Sequence, residues 1–208
     1  MYYTEKRNKF RTTKTITMFN NLRQNIEQYV HLTDIEFKDF TDKIVVKSFK
    51  KRQTLVREGE ICRYVAYIND GLFRCLSLTD EGIERVEHFG VTGEWISEYP
   101  SFPTQTPARQ TIEALRESQL FLLSYDNLQL LFENPKVERL VRLLNESLSA
   151  ENRLLINDIR HSAPEERYRL LVNLRPDLIE QIPQHYIANY LGMTPVSLSR
   201  IRRRLLTY

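Results

Sequence analysis

Glycine is unevenly distributed along this chain, and its distribution limits where tight turns can form. Five of the six glycines lie within the 35 residues from 59 to 93, and the sixth is Gly192. Because glycine has no Cβ, it adopts the left-handed backbone conformations that many tight turns need. The sequence therefore predicts one turn-rich β region, with longer and less interrupted elements around it.

Short segments of strand character run between these turns. They are rich in β-branched and aromatic residues. Asn69-Asp70-Gly71 and the segment from Thr79 to Gly82 have the composition of hairpin turns. Many short strands joined by regular turns are typical of a sandwich or barrel. The predicted strands are 43–49, 64–68, 72–77, 84–89, 110–114 and 119–123.

Helical patterns flank the β region on both sides. Before it, residues 19–29 and 33–41 are predicted helices, and Thr33 with Glu36 has the spacing of a capping box. After it, residues 124–132 are predicted to be helical, and the helix ends before Pro135.

A much longer helix is predicted to begin at Pro135. No glycine or proline interrupts the chain before Pro164, so the helix would run for roughly 25 residues, about twice the average length. Its apolar residues recur at near-heptad spacing, which favours pairing with a second copy, although packing on the chain's own β region would also explain the stripe. The predicted dimer contacts are Val137, Val141, Leu144, Leu148 and Leu155.

The segment from Gln184 to Ile201 has the pattern of a helix-turn-helix. Ile187, Ala188 and Leu191 would share one face of a first helix. Gly192 then stands where a helix end needs a left-handed residue. Thr194 is a plausible N-cap for a second helix beginning at Pro195, because proline suits the first helical position.

The outer face of this second helix is small, polar and cationic, which is typical of a helix that enters the DNA major groove. Arginine can pair with guanine edges, and hydroxyl groups can contact phosphates. A structural helical hairpin with a solvated basic face is the alternative. The predicted DNA-binding residues are Thr194, Val196, Ser197, Ser199, Arg200 and Arg203.

Charge is clustered and not spread evenly. The formal net charge is only +3, so affinity for nucleic acid has to come from local clusters. Residues 195–208 contain four arginines and no acid (4 − 0 = +4), and residues 1–15 contain five basic residues and one acid (5 − 1 = +4). The first 18 residues are expected to form a flexible tail with no assigned function.

Other classes of protein find little support. Of the four histidines only His88 falls in a predicted strand, and Cys62 and Cys75 lack metal-binding spacing, so neither a metal site nor an enzyme is expected. No apolar run approaches the roughly 20 residues that span a bilayer, so we expect a cytoplasmic protein without a membrane partner. A protein whose terminal hairpin binds another protein remains the third class.

The order of β-roll, long helix and helix-turn-helix resembles the Crp/Fnr family of bacterial transcription regulators, named for the cyclic AMP receptor protein and the fumarate-nitrate regulator. The resemblance covers about residues 19 to 206, and its C-terminal part is the more specific. The matching β-region segments are 57–60 (Arg-Glu-Gly-Glu), 67–71 (Tyr-Ile-Asn-Asp-Gly) and 93–94 (Gly-Glu); the C-terminal ones are 187–188, 191–194 and 198–201.

The resemblance implies an α+β protein with a jelly-roll-like sensor domain of the cyclic-nucleotide-binding type. The implied division is a flexible tail at 1–18, a β-roll at 19–134, a dimerisation helix at 135–162 and a helix-turn-helix domain at 163–208. This last domain would be winged-helix-like, with a wing that is short or absent because only four residues follow the arginines. The implied function is a homodimeric regulator that binds double-stranded DNA and contacts RNA polymerase.

The β region departs from the family's cyclic-nucleotide binders. In those proteins Gly-Glu is followed by an Arg-Ser/Thr-Ala triplet, whose arginine neutralises the cyclic phosphate. Here the triplet falls on Ala108-Arg109-Gln110, so the arginine is displaced by one residue, which on a strand changes its face. We therefore expect no cofactor and no control by cyclic AMP. A nucleotide-responsive regulator using the displaced arginine is the alternative, with a pocket formed by Gly93, Glu94, Arg109 and Gln110.

Two further differences affect the prediction. Trp95 and Tyr99 stand where nucleotide binders keep a small-residue helix, and we expect both to pack in the core. Pro195-Val196 replaces an Arg-Glu pair that well-studied family members place at the start of the recognition helix. The family's familiar operator sequence therefore cannot be assumed.

Overall fold

The computed structural model describes residues 18–147 and 162–205. Two helices precede a β region of eight strands, which contains one short helix, and two more helices follow it. Their order is α1 (Asn20–Glu27), α2 (Asp34–Asp42), β1 (Ile44–Phe49), β2 (Thr54–Val56), β3 (Tyr64–Asp70), β4 (Leu72–Leu78), β5 (Glu84–Val91), β6 (Trp95–Ile96), α3 (Ser101–Thr104), β7 (Thr111–Ala114), β8 (Ser118–Ser124), α4 (Tyr125–Leu131) and α5 (135–147). Four helices complete the C-terminal part: α6 (Pro164–Leu174), α7 (Pro176–Gln181), α8 (Gln184–Tyr190) and α9 (Pro195–Leu205).

The strands form two antiparallel sheets of four, with the orders β1-β8-β3-β6 and β2-β7-β4-β5. Apolar side chains from both sheets form a common core, in which Phe49 and Phe73 meet edge to face with ring centroids 5.9 Å apart. This confirms the predicted α+β class and the jelly-roll-like β region. All six predicted strands are present within two residues of their predicted ends.

One of the two predicted hairpin turns is wrong. Thr79 to Gly82 does join the paired strands β4 and β5. Asn69-Asp70-Gly71, in contrast, joins β3 to β4, which lie in different sheets, so the segment is a crossover. A Cβ on Gly71 would lie 2.6 Å from the Ser118 side chain, so the glycine serves a close approach between chain segments.

The sequence analysis did not predict two short strands. β2 has three residues and β6 has two, too few for an alternating pattern to be recognised. Trp95 in β6 is buried as expected, and its indole N–H donates to Asn25 Oδ1 at 2.8 Å. Tyr99, expected in the core, is 61% exposed, so that prediction was wrong.

The predicted capping box is confirmed, and the structure adds a second cap. Thr33 and Glu36 form a reciprocal capping box at the start of α2. The Ser124 hydroxyl accepts from the Asn127 N–H at the start of α4. These caps fix where each helix begins, and the start of α2 was predicted from Thr33 and Glu36.

Helix α5 carries the first part of the predicted dimer stripe, and that part faces the chain's own β-roll. Val137 and Leu144 are buried in the same core as the two sheets, and Val141 packs against it. A side chain already covered by its own protomer offers little surface to a partner. Leu148 and Leu155 lie outside the described residues.

The C-terminal helices share a second core with one edge of the β-roll. Tyr168, Leu171 and Ile187 pack in one cluster with Val86 and Phe89 of β5. Helix α7 was not predicted. Pro176 is its first residue, a position that suits proline. In the part of the chain that the structure describes, none of the helices has the length and apolar character needed to cross a membrane.

Candidate nucleic-acid interface and ligand cavity

Helix α9 has two opposite faces. Leu198 and Ile201 are buried in the second core, and Ile187 and Ala188 of α8 lie in the same cluster. The outer face is formed by residues three and four positions apart, which share one side of a helix. Its exposed members are Val196, Ser199, Arg200 and Arg203. The sequence prediction of an inner apolar and an outer cationic face is confirmed in this helix.

The turn before α9 has the geometry that Gly192 predicted. Its φ is +65°, in the left-handed region. The Gly192 N–H donates to the Asn189 carbonyl at 3.0 Å, and the Met193 N–H donates to the Ala188 carbonyl at 2.9 Å. This pair of bonds is the Schellman motif, which satisfies the last carbonyls of α8. The turn therefore fixes the angle at which α9 leaves α8.

The side chains of Thr194, Ser197 and Arg167 also stabilise this turn. The Ser197 N–H donates to the Thr194 hydroxyl at 3.1 Å, so Thr194 is the N-cap of α9. The two hydroxyl groups of Thr194 and Ser197 are 2.9 Å apart and hydrogen-bonded. Arg167 of α6 donates to the Leu191 carbonyl at 3.0 Å. The sequence analysis did not identify Arg167. A charged residue on a helix gives no sign that it contacts a residue 24 positions away, here Leu191.

Arg200 is the guanidinium most available on the outer face. It is exposed and has no hydrogen-bond or ion-pair partner among the described residues. Its neighbour Arg204 instead pairs with Glu165 at 3.2 Å. Within this cluster of four arginines, Arg200 is therefore available to contact a ligand, whereas Arg204 pairs within the helical part.

The helix-turn-helix is joined to the β-roll through Asn189. Its Oδ1 accepts from the Val86 N–H at 2.7 Å, and its Nδ2 donates to the Glu84 carbonyl at 2.8 Å. β5 is the edge strand of its sheet, so these backbone groups have no neighbouring strand to pair with. One side-chain amide thus supplies the acceptor and the donor that the strand edge lacks.

Aromatic and ionic contacts extend this junction. The Phe89 and Tyr190 rings meet edge to face at 5.4 Å, and the Arg74 guanidinium lies 4.7 Å from the Tyr186 ring centroid. Arg175 pairs with Glu94 at 2.8 Å. The sequence analysis did not predict any of these contacts between residues far apart in the chain.

A β-bulge gives β5 its two functional faces. Cys75 is opposite His88 while Leu76 is opposite Val86, so Glu87 is the extra residue. The extra residue brings Val86, Phe89 and Val91 together toward the C-terminal helices. His88 faces the other way, into the interior of the β-roll.

That interior contains a cavity of about 360 Å³ between the β-roll, α4 and α5. Tyr99 and Pro103, both exposed, lie at its rim. Most of the wall is apolar or aromatic. The polar groups on it are Cys75, His88, Ser97, Tyr99, Tyr125, Gln129 and Asn145.

The two titratable groups in the deeper wall are neutral at pH 7. Burial, with a smaller contribution from the positive charge of Arg175, lowers the pKa of His88 to about 4. Burial also raises the pKa of Cys75 to about 12. None of the described residues lining the cavity is Asp, Glu, Lys or Arg. The wall therefore carries no formal charge.

The four residues predicted to form an effector pocket do not line this cavity. Gly93 has a φ of +93° and lies in the turn between β5 and β6. Glu94 accepts from the Val91 N–H at 3.0 Å and pairs with Arg175. The Arg109 side chain is exposed, and Gln110 is half-buried beside β7. The structure thus disperses these residues over two turns and the β-roll surface.

Glu98 is the residue that sequence reasoning missed in this region. It is only 3% exposed, and its carboxylate accepts from the Ser101 N–H at 2.9 Å and the Arg109 N–H at 3.1 Å. A buried carboxylate needs such donors to offset its desolvation. Glu98 therefore holds the loop between β6 and β7 closed on itself.

The fold and the site together define a class of protein, a β-roll with an internal cavity joined to a helix-turn-helix with an exposed cationic helix. Residues 46–134 match the cyclic nucleotide-binding domain family. The transcriptional activator protein anr of Pseudomonas aeruginosa is 26% identical over 185 residues, which cover 82% of this chain and 75% of that protein.

Two further comparisons agree. The fumarate and nitrate reduction regulatory protein of Vibrio cholerae is 24% identical over 177 residues, covering 76% of this chain and 67% of that protein. The structure of FixK2 from Bradyrhizobium japonicum superposes with a TM-score of 0.68 at 19% identity, over 79% of this chain and 85% of that one. The chain is thus similar over most of its length to two bacterial transcription regulators, and its β-roll matches the cyclic nucleotide-binding domain family.

The family match raises the question of a cyclic nucleotide, and the described residues do not fit one. A cyclic phosphate needs a cationic or N–H donor set. Here the Arg109 N–H is already bonded to the Glu98 carboxylate, and the Arg109 side chain is exposed away from the cavity. The cavity wall itself has no cation among the described residues.

No metal site is indicated either. Among residues 18–147 and 162–205 no group of three or more His, Cys, Asp or Glu side chains has an arrangement that could hold a metal ion.

Proposed function

We propose that this protein is a sequence-specific DNA-binding transcription regulator that acts as a homodimer. The observation that carries the proposal is the exposed face of α9, where Val196, Ser199, Arg200 and Arg203 share one side of a helix held by a Schellman turn. An exposed helix of this kind has the dimensions and donors to read a major groove.

Each residue has a role set by its chemistry. Arg200 would read a guanine through its O6 and N7 atoms, and Val196 would contact a thymine methyl. Ser199 and Arg203 would contact phosphates. Thr194 and Ser197, already hydrogen-bonded to each other, would act mainly by fixing the start of the helix.

The homodimer is supported by the family and by the sequence of the long helix. Within the described residues, the outer face of α5 is charged and its apolar face covers the β-roll. Dimer contacts are therefore proposed for the residues that follow, where the sequence predicts that the helix continues; Leu148 and Leu155 lie there, outside the described residues. A cytoplasmic location and contact with RNA polymerase follow from the proposed role.

The alternative of a cyclic-nucleotide-responsive regulator finds no support in the placement of Arg109. A protein-binding role for the helical part, in place of DNA binding, would not need an arginine that is exposed and without a partner among the described residues. Neither alternative is favoured by a specific contact.

In vitro selection of the full chain on random DNA duplexes tests the proposal. We expect enrichment of a two-fold symmetric site whose half-sites lie about 10 base pairs apart, because paired recognition helices enter successive major grooves. Size-exclusion chromatography with light scattering on the same sample reports whether the chain is a dimer.

The matched control is Leu198→Asp, which places a charge in the core that holds α9 against α8. This variant should enrich no site while the β-roll stays folded. Enrichment of an asymmetric half-site by a monomer would refute the dimer, and the absence of any enriched sequence would refute DNA recognition.

A further inference from the structure

The cavity in the β-roll has no assigned ligand, and its wall determines which chemistry it accepts. A charged ligand would lose its hydration on entry without gaining a counter-charge from the described wall. Apolar surface, in contrast, gains free energy when it leaves water for a preformed apolar pocket. The wall therefore selects against ions.

His88 adds a specific polar feature to this apolar wall. Its ring has no hydrogen-bond partner among the described residues, and the half-buried residue lines the cavity. A neutral imidazole has one N–H donor and one nitrogen acceptor. A ligand hydroxyl or carbonyl in the cavity would give this ring a hydrogen-bond partner that the apolar wall does not supply.

Two polar groups of the wall, Ser97 and Trp95, already have hydrogen-bond partners. The Ser97 hydroxyl donates to the Tyr64 carbonyl at 3.1 Å, and the Cys62 thiol donates to the same carbonyl at 3.3 Å. The indole N–H of Trp95 is bonded to Asn25, which leaves the ring as apolar wall. His88 is the polar group that β5 contributes to the wall beside Cys75 of β4, and both of its ring nitrogens are available; Tyr125, Gln129 and Asn145 lie on the α4 and α5 side of the cavity.

We propose that this cavity binds a small, uncharged, largely apolar ligand whose single polar group hydrogen-bonds to His88. A volume of about 360 Å³ accommodates a two-ring aromatic molecule or one of similar size. The ligand lies against β5, the strand whose next residue, Phe89, contacts Tyr190 of the helix-turn-helix.

This inference deepens the proposed function, because it gives the ligand class of the sensor, and it is tested without DNA. Isothermal titration calorimetry of the full chain at pH 7 uses three probes of one shape: 1-naphthol, naphthalene and 1-naphthoate. We expect saturable binding of 1-naphthol and naphthalene, and a Kd for the anionic 1-naphthoate at least tenfold higher than for 1-naphthol. Cyclic AMP should bind no better than 1-naphthoate.

Two variants locate the binding site. His88→Leu should weaken 1-naphthol about fivefold, the equivalent of one hydrogen bond, and change naphthalene less than twofold. Asn145→Phe should fill part of the cavity from α5 and weaken both probes. The matched control His31→Leu changes an exposed histidine and should leave both affinities unchanged.

Three results would overturn the proposal: no saturable binding of 1-naphthol, equal binding of 1-naphthoate, or affinities unchanged in both His88→Leu and Asn145→Phe. The DNA selection described above needs no added ligand. If the protein selects a DNA site but binds no neutral probe, the ligand proposal is therefore wrong and the proposed DNA-binding function is unaffected.

Discussion

Helix α9 and the cavity wall differ in their charge. The outer face of α9 presents arginines to solvent, and Arg200 has no partner among the described residues. The described cavity wall has no charged side chain, and its histidine is neutral. The same chain thus contains one surface suited to a polyanion and one interior suited to an uncharged molecule. Strand β5 lines the interior and contacts α8, the helix that precedes α9.

Salt should separate the two regions most strongly. A dimer that contacts roughly six to ten phosphates loses about 10³- to 10⁵-fold in DNA affinity between 50 and 200 mM salt. Binding releases counterions from the DNA, and this release becomes less favourable as the salt concentration rises. Binding of 1-naphthol in the cavity should change less than twofold over the same range. Fluorescence anisotropy with labelled duplex and calorimetry with the probe measure both in one preparation.

The control for this comparison is a duplex of random sequence, whose salt slope should be similar to that of the selected site. DNA affinity as insensitive to salt as probe binding would mean that the helix face contacts its partner through apolar surface, and the contrast between the two regions would fail.

Acid should destabilise the cavity region through His88. Burial, with Arg175, lowers its folded-state pKa from 6.5 to about 4, so below pH 6.5 the unfolded chain binds a proton that the folded chain does not. Stability is therefore complete above pH 6.5 and falls as the pH drops toward 4. At about 1.4 kcal/mol per pKa unit the loss amounts to about 3 kcal/mol.

Urea denaturation between pH 7 and pH 4 measures this effect. His88→Leu should reduce the acid loss by about this amount, whereas the exposed-site control His31→Leu should keep the wild-type pH dependence. An identical acid loss in wild type and His88→Leu would show that the imidazole is protonated as easily in the folded protein as in the unfolded chain.

Sequence reasoning predicted the recognition helix well because every signal there is local. Gly192, Thr194 and Pro195 each determine the conformation of their own or the next few residues, and the spacing of Leu198 and Ile201 fixes the buried face. The strands were found for the same reason. Their ends follow from composition over a few neighbouring residues.

The cavity, the loop beside it and the junction with the helix-turn-helix could not be predicted because they depend on contacts between residues far apart in the chain. Glu98 reaches the Arg109 N–H over 11 positions, and Asn189 reaches Val86 over 103. The bulge at Glu87, which decides the direction of His88, appears only when β4 and β5 are paired. The family resemblance directed attention to Arg109, whose side chain the structure places on the surface.

The DNA-binding claim is tested most directly by comparing two arginines of α9. Arg200 is proposed to contact a base, and Arg203 is proposed to contact a phosphate. Affinities of wild type, Arg200→Ala and Arg203→Ala are compared on the selected site, on the same site with one G·C pair changed, and on random DNA. Arg200→Ala should cost about 1 to 3 kcal/mol on the selected site and lose discrimination at that base pair. Arg203→Ala should weaken binding to all three alike. Equal losses on every duplex for both variants would contradict the proposed reading of DNA by this helix.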